Sequence, residues 1–170
     1  VAHDLESTQE MFSMNDLFFT EMPAYMRPMK RYGSRDELTF ENPDEESRKV
    51  KPGLRSQLKI GTAGKVELGR SKDIHLLHLS ELPYWQDAEA TELSVVNAVP
   101  ALPSTMVFKE STQMGVGNKF HRDYLDAKAG RSAFEPFFMA WWEFKEYSKP
   151  LDAAPFAAEE FEDSLDELER

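Results

Sequence analysis

Acidic and hydroxyl side chains follow two apolar segments of the sequence. Ser80-Glu81 ends one segment, and Glu110-Ser-Thr112 ends the other. A glutamate can orient or deprotonate a water for attack on a phosphate, and a hydroxyl can bind a phosphate oxygen. If the segments are parallel strands, their carboxyl ends lie at one edge of the sheet, where open α/β proteins bind ligands. Taken singly, each of these residues is better explained as part of an ordinary strand end.

Strands and helices that could position these groups alternate along the chain. Short apolar runs bounded by Pro, Gly or polar residues predict strands, and amphipathic stretches predict helices. This alternation predicts an α/β protein with three layers and a mainly parallel sheet. The predicted strands are 38–40, 56–62, 74–81, 105–109 and the aromatic run 134–142, and the predicted helices are 5–22, 87–98 and 118–129. We expect Phe137-Phe138 and Trp141-Trp142 in the core, although exposed aromatic rings there could instead contact a neighbouring domain.

Length, charge and residue usage restrict the class of protein. A chain of 170 residues with 41% hydrophobic residues can form one domain with a core. The absence of cysteine excludes disulfides, and no apolar run is long enough to cross a bilayer. Residues 27–72 hold twelve Lys or Arg against seven acids, whereas residues 151–170 hold eight acids and one Arg. The basic stretch is a candidate phosphate-binding patch, although a solvated face of mixed charge explains it equally well.

Four ordered blocks of the sequence resemble the large terminase subunit of tailed bacteriophages, the ATPase motor that packages DNA. The resemblance covers about residues 1–150 and implies a P-loop NTPase-like core. The blocks are Gly69-Arg-Ser71, His75-Leu-Leu-His-Leu-Ser-Glu-Leu-Pro-Tyr-Trp85, Glu110-Ser-Thr112 with Gly115 and Gly117, and Phe137-Phe-Met-Ala-Trp-Trp142 with Tyr147.

The resemblance also implies roles for individual residues. Glu81 matches the catalytic glutamate that ends the Walker B strand and positions water. Ser80 stands where the family usually has the Asp associated with Mg²⁺, so it is the expected metal contact. Ser111 and Thr112 match the nucleotide-sensing motif that couples hydrolysis to domain motion, and Arg70 matches an arginine that acts on a neighbouring subunit.

The largest departure from the family is the missing nucleotide cradle, Gly-x-x-x-x-Gly-Lys-Ser/Thr. The glycine stretches 61–65 and 115–119 have neither its spacing nor its hydroxyl. By resemblance the cradle would precede Val1, and a nuclease domain would follow residue 170. We therefore expect a partial ATPase domain at 1–150, incomplete at its N-terminus, and an acidic helical tail or linker at 151–170. ATP and Mg²⁺ are the expected cofactors of the full-length protein, and the isolated chain should be inactive.

The family's partners follow from the same resemblance. They are double-stranded DNA, the portal protein, the small terminase subunit and other copies of the chain in a ring. The resemblance places them in the cytoplasm of a bacterial host and does not involve a membrane.

A different hypothesis is a non-catalytic module that keeps the sheet and binds DNA or partner subunits. A third hypothesis, a helicase-like ATPase, would share the Walker B strand and its terminal glutamate but would not explain the Trp141-Trp142 block. His75 and His78 are three residues apart, so a strand would place them on opposite faces, where they cannot easily share a metal.

Overall fold

A computed structural model of the chain describes residues 1–64 and 73–147. The described residues form a mixed α/β structure with a small parallel sheet and an antiparallel sheet. Two compact units are present, one of residues Val1–Ser132 and one of residues Ala133–Arg170. None of the described helices combines the length and apolar character that crossing a membrane requires. The predicted tail at 151–170 lies outside the described residues.

The first helix, α1, spans Leu5–Glu21 and confirms the helix expected there. Asp4 caps it, because its carboxylate accepts a hydrogen bond from the Ser7 backbone N–H at 2.8 Å. This capping bond also lowers the pKa of the exposed Asp4 carboxyl. Pro23 follows the helix closely and prevents its continuation.

An antiparallel sheet follows α1, which differs from the mainly parallel sheet that the sequence predicts. Its strands are β1 (Tyr32–Gly33), β2 (Glu37–Phe40) and β3 (Ser56–Lys59), with β2 in the centre. The connection between β2 and β3 contains the short helix α2, Glu45–Arg48. The connection between β1 and β2, residues 34–36, is too short for the crossover that parallel pairing needs, so these two strands pair antiparallel.

The parallel sheet consists of β4 (Leu76–Ser80) and β5 (Met106–Glu110), two strands that the sequence predicts. The Val1 nitrogen donates to the carbonyl of His78, and the Ser80 N–H donates to the carbonyl of Val1 at 2.8 Å. Ala2 in turn forms a parallel bridge with Thr62. The N-terminal residues therefore extend the parallel arrangement on the side of β4 that faces away from β5.

The hydrophobic core of the first unit contacts one face of β4. Helix α3 (Ala88–Val96) and helix α4 (Lys119–Lys128) occupy the two predicted helical positions that flank β5 in sequence. Leu79 and Leu82 are fully buried, and they cluster with Leu77, Trp85 and Val95. Leu76, Met106 and Phe108 on the opposite face are exposed, so β4 is buried on one face only.

An ionic cluster links β5 to both helices. Lys109 on β5 and Lys119 on α4 each form ion pairs with Glu92 on α3 and with Asp123 on α4. Burial alone would raise the pKa of Asp123, but the ammonium groups of Lys119 and Lys109 lower it below its ordinary value. Removing any one of these charges would leave each of its two partners with a single opposite charge in a largely buried site, which is destabilising.

The described part of the second unit, residues 133–147, contradicts two expectations. The strand predicted at 134–142 is absent from this range, which contains two 3₁₀ turns at Trp141–Glu143 and Lys145–Tyr147. The aromatic residues expected in a core are exposed, including Trp141 and Trp142. These two rings pack edge to face at 5.7 Å. The aromatic side chains of this range thus contact one another, and their large apolar surface alone did not specify a strand.

Replacing Leu79 by Ala should destabilise the first unit by about 2–5 kcal/mol, because the fully buried side chain would leave a cavity behind β4. Leu76 on the same strand is 65% exposed, so Leu76→Ala is the matched control, with an expected change within about 0.5 kcal/mol. Urea unfolding of the chain measures both free energies. Equal losses for the two variants would contradict the burial of a single face of β4.

Candidate functional site at the carboxyl edge of the parallel sheet

Glu81 follows β4 directly and adopts a left-handed backbone conformation, with φ 56° and ψ 43°. For a residue with a Cβ this conformation costs about 1–2 kcal/mol, so the surrounding structure must hold it. The Glu81 N–H donates to the Glu110 carbonyl at 2.9 Å, and the Glu81 carbonyl accepts from the Tyr84 N–H at 3.0 Å. The strand therefore turns sharply at Glu81, at the sheet edge where the sequence places the site.

The Glu81 carboxylate meets the hydroxyl of Ser111, the residue that follows β5. The Ser111 hydroxyl donates to Glu81 Oε2 at 2.7 Å and lies 2.8 Å from the Thr112 carbonyl oxygen. A hydroxyl carries one proton, so it serves only one of these two acceptors at a time. Within the ranges 1–64 and 73–147, no side chain or backbone group forms a hydrogen bond or an ion pair with the other carboxylate oxygen of Glu81. That oxygen can accept a proton or a hydrogen bond from a bound water.

A second polar group lies on the exposed face of the same two strands. His78 Nε2 donates to Glu110 Oε1 at 3.1 Å, since an ionised carboxylate can only accept. This bond is the main cause of the lowered pKa of Glu110, and the Ser80 hydroxyl contributes in the same direction. Ser80 therefore interacts with Glu110, a side-chain arrangement that the sequence did not indicate.

The structure brings some of the predicted site residues together and leaves others apart. Glu81 and Ser111 are in direct contact, and Thr112 is adjacent but exposes its side chain. Ser80 lies at the same edge, where its carbonyl accepts a hydrogen bond from the Trp85 indole and its hydroxyl helps to lower the pKa of Glu110. Arg70 lies outside the described residues. Over the described part of the chain no group of three or more His, Asp or Glu side chains forms a metal site, so the Mg²⁺ contact expected of Ser80 stays a prediction.

Two cations of the basic stretch 27–72, the candidate phosphate-binding patch, have partners close to them in the chain. Arg27 donates to the backbone carbonyls of Thr20 and Met22 after helix α1. Lys30 lies over the ring of Phe19 at 4.7 Å from its centroid. The mixed-charge interpretation of the basic stretch gains support from these contacts.

Two contributors to the site were not selected from the sequence. The first is the His78–Glu110 pair. The two-residue period of a strand places His78 on the same face as Ser80, and Ser80 lies opposite Glu110 in the parallel register, so this period could have indicated the pair. The second is Trp85, whose indole N–H donates to the Ser80 carbonyl at 2.9 Å. No protein-family model matches the chain, and no curated protein matches it. Functional inference therefore depends on these residues and contacts.

Replacing His78 by Ala should raise the pKa of Glu110 toward its ordinary value, because the main bond that favours the carboxylate is removed. A lowered pKa stabilises the folded state above the ordinary value, and this stabilisation disappears as the pH falls through the folded-state pKa. Carboxyl-detected NMR titration measures the shift. His75→Ala, which removes an exposed histidine from the same segment, is the control, and an unchanged Glu110 pKa in His78→Ala would contradict the assignment.

Proposed function

We propose that the chain is part of the ATPase motor of a large terminase subunit, which couples ATP hydrolysis to movement of double-stranded DNA into a viral procapsid. The observation that carries the proposal is the 2.7 Å contact between Glu81 and Ser111. These residues belong to two separate blocks of the resemblance, 30 positions apart in the chain. Their meeting at the carboxyl edge of a parallel strand pair is the arrangement expected for a water-activating glutamate and a nucleotide-sensing hydroxyl.

The chemistry proposed for this chain is confined to the attacking water. Glu81 accepts a proton from that water through the oxygen that Ser111 does not occupy, and the Ser111 bond fixes the direction of the carboxylate. When bound, ATP with Mg²⁺ supplies the electrophilic phosphorus and the positive charge that stabilises the leaving phosphate. The described residues fit only the water-activating side of such a site, because the chain contains no Gly-x-x-x-x-Gly-Lys-Ser/Thr cradle.

A P-loop NTPase-like three-layer core is the finer fold that we propose. It is supported by the parallel pairing of β4 with β5 and by the bonds that add Val1 and Ala2 beside β4. It is supported further by the core that packs on one face of the strands, while the other face keeps exposed apolar side chains. In this proposal the cradle belongs to a longer protein, and the 170-residue chain binds ATP weakly and does not hydrolyse it.

The partners and location also remain part of the proposal. The motor would act on double-stranded DNA with the portal protein, the small terminase subunit and further copies of itself in a ring. It would work in the cytoplasm of the bacterial host. Arg70 would act on the neighbouring copy, and Ser111 with Thr112 would transmit the state of the nucleotide.

The full-length protein should lose ATP hydrolysis by about 10²–10⁴-fold when Glu81 is replaced by Gln, because the amide cannot accept the proton of the attacking water. Glu10→Gln, on an exposed position of α1, is the matched control and should keep full activity. Steady-state phosphate release with and without double-stranded DNA measures both variants. Turnover that survives Glu81→Gln would refute the role of this carboxylate.

The gene sequence immediately upstream of Val1 separates this proposal from the binding-module hypothesis. A cradle motif there supports the ATPase. Unrelated sequence, together with DNA binding by the chain and no hydrolysis by the full-length protein, supports the non-catalytic module.

A further inference from the structure

The Glu81 turn is held by a bond that spans it. The carbonyl oxygen of Ser80 belongs to the peptide that joins Ser80 to Glu81, so its direction is coupled to the φ angle of Glu81. The indole N–H of Trp85 donates to that oxygen at 2.9 Å. This bond crosses the turn from its far end and fixes the plane of the peptide that precedes Glu81.

Trp85 is itself immobilised by the core. Its side chain is 6% exposed and belongs to the buried cluster that contains Leu79 and Leu82. A 3₁₀ turn at Leu82–Tyr84 connects it to Glu81, and the Trp85 N–H donates to the Leu82 carbonyl at 3.2 Å. A buried indole N–H needs an acceptor, and the Ser80 carbonyl is the one that the fold provides.

We propose that Trp85 is a positioning residue for Glu81. Its indole N–H holds the Ser80–Glu81 peptide in the orientation that keeps Glu81 left-handed and directs the carboxylate to the Ser111 hydroxyl. The inference rests on the proposed function only for its effect on turnover, since the effect on the geometry of Glu81 is independent of ATP.

Two substitutions separate the hydrogen bond from the packing of the ring. Trp85→Phe keeps an aromatic ring but loses the donor, and it also removes volume from the core. Replacement of Trp85 by β-(3-benzothienyl)alanine keeps the bicyclic shape and exchanges the N–H for sulfur, so it provides a folded variant if Trp85→Phe fails to fold. Trp142→Phe is the matched control, because Trp142 is 63% exposed and lies in the other compact unit.

The first measurement uses the 170-residue chain without nucleotide. Loss of the indole donor should shift the amide and carboxyl NMR resonances of Glu81 and the amide resonance of Ser111, whereas Trp142→Phe should leave all three in place. Unchanged Glu81 and Ser111 resonances in the benzothienyl variant would overturn the inference, because packing alone would then hold the turn.

The second measurement uses the full-length protein. The benzothienyl variant should lower kcat for ATP by about 10- to 100-fold with KM nearly unchanged, since a misdirected carboxylate impairs the chemical step and not nucleotide binding. A normal kcat in this variant, in a protein that Glu81→Gln inactivates, would overturn the positioning role and leave the proposed function intact. If the full-length protein hydrolyses no ATP, the proposed function fails, and the NMR comparison still decides whether Trp85 positions Glu81.

Discussion

The parallel pairing of β4 with β5 is the interaction on which the candidate site depends. The pairing is in register from Leu76 and Met106 to Ser80 and Glu110, and a last bond runs from the Glu81 N–H to the Glu110 carbonyl. This register brings the ends of both strands to one edge, so that residues 30 positions apart share a hydrogen bond. The core on one face of β4 fixes the strand, because a shift of one residue would expose its buried side chains.

The elements that position the site were predictable because their sequences carry strong local signals. Residues 74–81 and 105–109 are short apolar runs with clear boundaries, and 118–129 begins with Asn118, a residue type that favours the N-cap position and caps α4 in the structure. Two strands of the antiparallel sheet, β2 and β3, lie where the sequence predicts strands, but their antiparallel pairing and the two-residue β1 were not predicted, since strands of two to four residues carry little information about their partners. The aromatic range 134–142 was misinterpreted because hydrophobicity alone does not distinguish a core strand from an exposed aromatic cluster.

The candidate site was predictable at the level of the sheet edge but not at the level of side-chain direction. A parallel sheet places Ser80-Glu81 and Glu110-Ser111 at one edge whatever the details, and the structure confirms that proximity. The left-handed turn at Glu81 could not be expected, because residues other than Gly seldom adopt it. That turn gives the side chains of Glu81 and Ser80 different partners. The Glu81 carboxylate accepts a hydrogen bond from Ser111, whereas the Ser80 hydroxyl helps to lower the pKa of Glu110.

The ionic cluster ties the end of β5 to two helices, close to the residue that bonds Glu81. Lys109 lies two positions before Ser111 on β5, and its ion pairs with Glu92 and Asp123 tie that strand to α3 and α4. Because the four charges are largely buried, separating them is costly, so the cluster restrains the end of β5 against both helices. The Ser111 proton meanwhile has two acceptors within 2.8 Å, Glu81 and the Thr112 carbonyl. Rotation of the Ser111 hydroxyl about its own Cβ–Oγ bond therefore suffices to move that proton from one acceptor to the other, so Glu81 can gain or lose this hydrogen bond while the parallel pairing stays intact.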